Sequence, residues 1–159
     1  MKTNLTISEI THDDLVNLFS TSLYGSNYLD ADYDQHSDLE DCECYEDKLA
    51  KSVLNGRTIR FVDRYAEGSI YGNLPSQVDD EEDEVTYWVS FEDIKRGLEN
   101  AANGTFYTRP DVSEDFARGN SEFARRSFNA FADEDCCNFD YCTADCLMQI
   151  ILFNEIIYG

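Results

Sequence analysis

The chain is 159 residues long and carries 33 Asp and Glu against 12 Lys and Arg, a formal net charge of −21 at pH 7. A polyanion of this kind is repelled by DNA, RNA and anionic lipid, which argues against direct nucleic-acid or membrane-surface binding. Hydrophobic residues make up 42% and aromatics 13%, more than an intrinsically disordered acidic chain holds, so a core under an acidic skin is expected, in one domain over 1–159.

Met1-Lys2-Thr3-Asn4 leads into a polar stretch without the apolar run of a signal peptide. Thr11-His12-Asp13-Asp14 opens the first helix: Thr11 is placed to cap it, and both aspartates lie at the positive end of the helix dipole. Leu15, Leu18, Phe19 and Leu23 follow at helical spacing up to Gly25. Nine carboxylates and no Lys or Arg then fall between Asp30 and Asp47. Cys42, Tyr45, Leu49 and Val53 predict a second helical stripe, closed by Asn55-Gly56, and Thr58 to Val62 reads as a strand. Ala66 to Gln77, rich in glycine, predicts a hairpin-like or irregular connection. The unbroken acidic run 79–84 has no period and is expected to be a solvated loop. Val85 to Val89 is a second strand.

Ser90-Phe91-Glu92-Asp93 caps a third helix with Phe91, Ile94, Leu98 and Ala101 or Ala102 on its apolar face, ending at Asn103-Gly104. Residues 105–120, with Pro110, are expected to form a loop, followed by a short helix carrying Phe123, Phe128 and Phe131. The last helix is expected to start at Thr143-Ala144-Asp145. Leu147, Met148, Ile150 to Phe153, Ile156 and Ile157 cover nearly its whole circumference, which places it at the centre of a core or between subunits. The apolar run Ile150 to Phe153 is far too short to span a bilayer. Strands and helices interleave, with too few strands for a doubly wound sheet. The expectation is a small α+β domain of about four helices and a small few-stranded sheet.

The opening Leu5-Thr6-Ile7 with Ile10 to Leu15, the stop Leu23-Tyr24-Gly25, and the closing Ala144-Asp145, Gln149 and Tyr158-Gly159 resemble a group of small proteins of phages and mobile elements of gut bacteria. Segments 50–61 and 87–98 are also similar to that group. Asn154 stands where glycine is more usual, and the cysteines from Cys136 to Cys146 are not part of the pattern. The resemblance supplies no catalytic residues. It implies a phage or mobile-element origin and favours counter-defence as the field of function. With neither a signal peptide nor a spanning segment read from the sequence, a soluble protein in the cytoplasm of a bacterial host is expected.

Several chemistries compete for the acidic residues. Solvated acids that keep the protein soluble are the plainest reading. Alternatively, Asp30, Asp32 and Asp34 in an extended segment would share one face at about 6.6 Å spacing, near the separation of phosphates along one strand, and imitate a nucleic acid. The frame Asp30, Asp32, Asp34, Asp38 and Asp41 also resembles an EF-hand loop, but Gln35 occupies the glycine position and Asp41 is shorter than the closing Glu. The six cysteines contain no C-x-x-C pair, although Cys142 and Cys146 would share a helical face and could join Cys42 and Cys44 at zinc. Thiols of an intracellular protein are the simpler expectation. His12 and His36 read as solvated polar residues, and no G-x-S-x-G, H-E-x-x-H or P-loop pattern is present.

The expectation is therefore a non-enzyme, without cofactor or metal. It would act as an acidic nucleic-acid mimic that inhibits a basic host nucleic-acid-binding protein, such as a CRISPR effector or restriction enzyme. The contact residues would be Asp30, Asp32, Asp34, Asp38, Glu40, Asp79, Asp80, Glu81, Glu82, Asp83 and Glu84. The alternative is an accessory or assembly protein that forms a homo-oligomer through its last helix.

Overall fold

The computed structural model describes residues 10–65, 77–81, 84–133 and 137–158. In chain order the elements are α1 (His12–Leu23), β1 (Leu29–Ala31), α2 (Tyr45–Leu54), β2 (Ile59–Asp63), β3 (Gln77–Glu81), β4 (Glu84–Val89), α3 (Phe91–Asn103), α4 (Glu114–Ala132) and α5 (Tyr141–Phe153). The fold is α+β, with one antiparallel sheet in the order β1-β2-β4-β3.

Local chemistry accounts for the helix starts. Thr11 and Ser90 each close a capping box: the hydroxyl accepts from the backbone of Asp14 or Asp93, whose carboxylate accepts in return from the cap's own N–H. Gly104 ends α3 at φ +65°, the left-handed conformation open to glycine. In β2 and β4, Ile59, Phe61, Asp63, Val85, Tyr87 and Val89 are buried, while Arg60, Val62, Thr86 and Trp88 between them are half-exposed. This alternation gives the sheet one face in the core and one towards solvent.

Helix α5 is the centre of the molecule. Every residue from Thr143 to Phe153 is buried, with α1, α3 and α4 packed around it. A Cβ at Gly97 of α3 would lie 2.4 Å from Cγ1 and 2.6 Å from Cα of Ile151, so only glycine allows this approach of the two helices. Because the chain itself covers residues 143–153 of α5, that stretch offers no apolar face to a second subunit.

After α5 the chain turns at Asn154, whose φ of +52° is left-handed. Asn is the next-best residue after glycine there. Its side chain accepts from Asn100 Nδ2 at 3.1 Å. The tail then folds back onto Gln149. Oε1 of Gln149 accepts from the amides of Ile157 (2.7 Å) and Tyr158 (2.8 Å), and Nε2 donates to Tyr158 O (2.9 Å) and Asp145 Oδ2 (2.8 Å). Tyr158 Oη donates to Asp63 Oδ2 at 2.7 Å, tying the tail to β2.

Several boundaries differ from those expected. In the run at 79–84 the described residues are strand rather than loop: Asp79, Asp80 and Glu81 belong to β3, opposite Thr86, Val85 and Glu84 of β4. The ladder to a β-branched strand prevails over the acids' poor strand propensity, and charge is tolerated on an edge strand. The loop expected over 105–120 ends at Ser113, whose hydroxyl caps a 19-residue α4 rather than a short helix. Helix α5 starts at Tyr141, capped by Asp140, with Thr143 closing the box. Five helices stand among the described residues instead of about four. The connection expected over 66–77 lies outside the described residues, apart from Gln77. Among the described residues no helix is long and apolar enough to cross a membrane.

Candidate acidic interface

The first half of the acidic block is clamped onto β2. Asp30 is ion-paired with Arg64, Asp32 with Arg60, and Asp38 with Arg57 in a two-pronged contact of 2.9 and 2.8 Å. Hydrogen bonding to Arg57 holds the Asp38 carboxyl below its ordinary pKa. Beyond β1 the edge of β2 is completed by one further backbone bond and then by side chains. The Asp32 amide donates to Arg60 O at 3.2 Å. Gln35 then accepts from Arg60 N (2.6 Å) and donates to Arg60 O (3.0 Å) and Tyr45 Oη (2.9 Å). His36, at φ +54°, donates from Nε2 to Thr58 O at 2.7 Å. His36 is therefore a sheet-edge cap and not the solvated residue expected.

These contacts correct two sequence readings. Asp30, Asp32 and Asp34 do not form a free phosphate-like ladder: arginines neutralise the first two, and Asp34 lies in a turn whose amide donates to Asp32 Oδ1 at 3.1 Å. The same arginines remove Asp30, Asp32 and Asp38 from the EF-hand frame. Among the described residues no group of three or more His, Cys, Asp or Glu could hold a metal ion. Cys142 is exposed and Cys146 buried, so they do not present one thiol face, and burial pushes the Cys146 thiol up to about 12. Cys136 lies outside the described residues.

Four acids of the block make no ion pair among the described residues: Asp34, Glu40, Asp41 and Glu43, all of them exposed. Beside them Tyr33 is 64% exposed and packs on Tyr45, with ring centroids 4.7 Å apart and planes tilted by 45°. Tyr45 anchors this corner by donating to Asp32 O at 2.5 Å, and burial raises its phenol to about 12. Of the second acidic run, Glu84 is exposed and Asp79, Asp80 and Glu81 occupy the edge strand. Glu82 and Asp83 lie outside the described residues.

One polar centre was missed at the sequence level. His12 Nε2 donates to Asp47 Oδ1 at 2.5 Å, and Asp47 Oδ2 accepts from Glu43 N (2.9 Å) and Lys51 Nζ (3.1 Å). The Glu43 amide, with Lys51 and His12, holds the Asp47 carboxyl below its ordinary pKa. This centre ties the start of α1 to α2. The contact spans 35 positions with no local spacing to reveal it. A cavity of about 250 Å³ lies between the 106–112 loop, α4 and the tail, where buried Glu155 is ion-paired with Arg109. Comparison with known proteins finds no matching family model, no matching curated protein and no matching solved structure.

Proposed function

We propose that this chain is a non-catalytic binding protein that presents its free acids to a basic, nucleic-acid-binding protein of a bacterial host and competes with the nucleic acid. A defence nuclease, such as a CRISPR effector or restriction enzyme, is the partner class in view. The observation that carries the reading is the division of the acidic block. Asp30, Asp32 and Asp38 are used to fix the segment on β2, and the fixed segment displays Asp34, Glu40, Asp41 and Glu43 next to an exposed tyrosine. A rigid acidic surface loses little entropy on docking, and tyrosine beside carboxylate suits a protein interface. Summed over a net charge of −21, the field would speed encounter with a cationic groove and make the complex sensitive to salt.

The test is capture of partners from nuclease-treated bacterial lysate on the tagged protein, with elution in a salt gradient. One nucleic-acid enzyme released at moderate salt, displaced by its own DNA or RNA, and lost when Asp34, Glu40, Asp41 and Glu43 are changed to Ser and Asn supports the reading. Binding that persists in the fourfold variant, or that is indifferent to salt, refutes it.

A further inference from the structure

A groove of about 390 Å³ lies where three helix ends meet, lined by Ser20, Thr21, Tyr24, Glu46 and Tyr141. Tyr24 stands at the C-cap of α1 with 90% of its surface exposed, and Tyr141, the first residue of α5, is 36% exposed. An aromatic ring so fully in water at the edge of a groove is poorly accounted for by stability alone. Burial raises the pKa of Tyr141, so its phenol stays neutral.

Three features of the groove favour positive charge, against the partial positive charge at the N-terminal ends of α2 and α5. Glu46, in the first turn of α2, has no basic partner among the described residues. The last turn of α1 contains no basic residue, so the partial negative charge of its terminal carbonyls is not offset by a side chain. The faces of tyrosine rings attract cations, most strongly when the cation leaves bulk water. Two tyrosines, one carboxylate and a helix C-terminus together form a receptor for an ammonium or guanidinium on an aliphatic stem. The stem would lie against the rings while the charged end meets Glu46.

We propose that this groove receives a lysine or arginine side chain of a basic protein partner. The source of the side chain rests on the function proposed above, whereas the groove's selectivity for a cation does not. Lysine and arginine share the needed chemistry, and the probes below distinguish them.

The experiment is a titration of the isotope-labelled full chain with N-acetyl-lysine methylamide and N-acetyl-arginine methylamide, read by backbone amide shifts. N-acetyl-norleucine methylamide and N-acetyl-citrulline methylamide serve as the uncharged controls. Saturable shifts confined to Ser20, Thr21, Tyr24, Glu46 and Tyr141, larger for one charged probe than for its control, are expected. Glu46→Gln should weaken the affinity about tenfold, equal to about 1.4 kcal/mol, and Tyr24→Ala should abolish saturation. The spectra of both variants report whether the fold is kept. No shifts at the groove, or equal shifts from charged and uncharged probes, overturn the proposal. Salt-sensitive partner capture that survives Glu46→Gln and Tyr24→Ala also overturns the groove's role and leaves the acidic-surface function standing. Groove binding without a captured partner has the opposite meaning.

Discussion

Tyr28 and Asp145 are 117 positions apart in sequence, yet the phenol donates to Asp145 Oδ1 at 2.5 Å inside the core. Burial, reinforced by Asp145, raises the Tyr28 pKa far above its ordinary 10.0, and burial also raises that of Asp145. Folding therefore favours the protonated phenol. That stabilisation is fully present below pH 10 and is lost as the pH climbs through the folded-state value. Tyr28→Phe should cost about 1–3 kcal/mol at pH 7 by depriving a buried carboxylate oxygen of its donor. It should also flatten the alkaline fall in stability, as measured by urea unfolding from pH 7 to 11.

Asp47 acts on the acidic limb. Its pKa is lowered by the Glu43 amide, Lys51 and His12, so its contribution is present above the ordinary value of 3.8 and disappears as the pH falls through the depressed one. Asp47→Asn should reduce stability at pH 7 and leave a shallower acid-unfolding profile than the parent. An unchanged acid limb would show that the α1–α2 link is energetically idle.

Gly97→Ala tests the closest helix contact. The added methyl would stand 2.6 Å from the Ile151 backbone, which a rotamer change cannot relieve. Overpacking of this kind costs about 1–3 kcal/mol, occasionally more, and outweighs the gain in helix propensity of about 1 kcal/mol. The expected result in thermal unfolding is a lower midpoint.

Within the acidic block, sheet-capping residues and free residues should separate in stability measurements. Gln35→Ala removes two hydrogen bonds to β2 and one to Tyr45, and should destabilise by about 1–3 kcal/mol. Asp34→Ser with Glu40→Ser should stay within about 0.5 kcal/mol of the parent. Equal losses in the two variants would contradict the division drawn between them.

Cys44, Cys137, Cys142 and Cys146 should react at two different rates. Cys44, Cys137 and Cys142 are exposed, whereas Cys146 is buried with its pKa pushed up to about 12. The thiolate is the reacting form, so a disulfide reagent at pH 8 should modify the exposed three quickly and Cys146 only after unfolding. Rapid native-state labelling of Cys146 would mean that α5 opens locally.

Much of this arrangement was legible in the sequence because it is local. The Thr11 and Ser90 caps, the Leu15-Leu18-Phe19 stripe and the apolar circumference of α5 are all written within one or two turns. The Asp145, Gln149 and Tyr158 of the C-terminal pattern could be noticed as a pattern, but their meaning emerged only when the tail folded back onto Gln149. Asn154 sits at a left-handed φ, a conformation that glycine and asparagine adopt most readily. The acidic segments were misread for the opposite reason. Whether Asp30 and Asp32 are free depends on Arg64 and Arg60, and only the β1–β2 register brings them together. Likewise, nothing within 79–81 marks a strand until it is laid beside 84–86.

The position of α5 along the chain sets an order of events during synthesis. The helix around which the others gather is translated after all of them. At about 5–20 residues per second, the apolar side of α1 waits on the order of ten seconds for the surface that will cover it. Completion of this core therefore waits until Phe153 has emerged. Mutual repulsion between chains of net charge −21 would hold them apart during that interval.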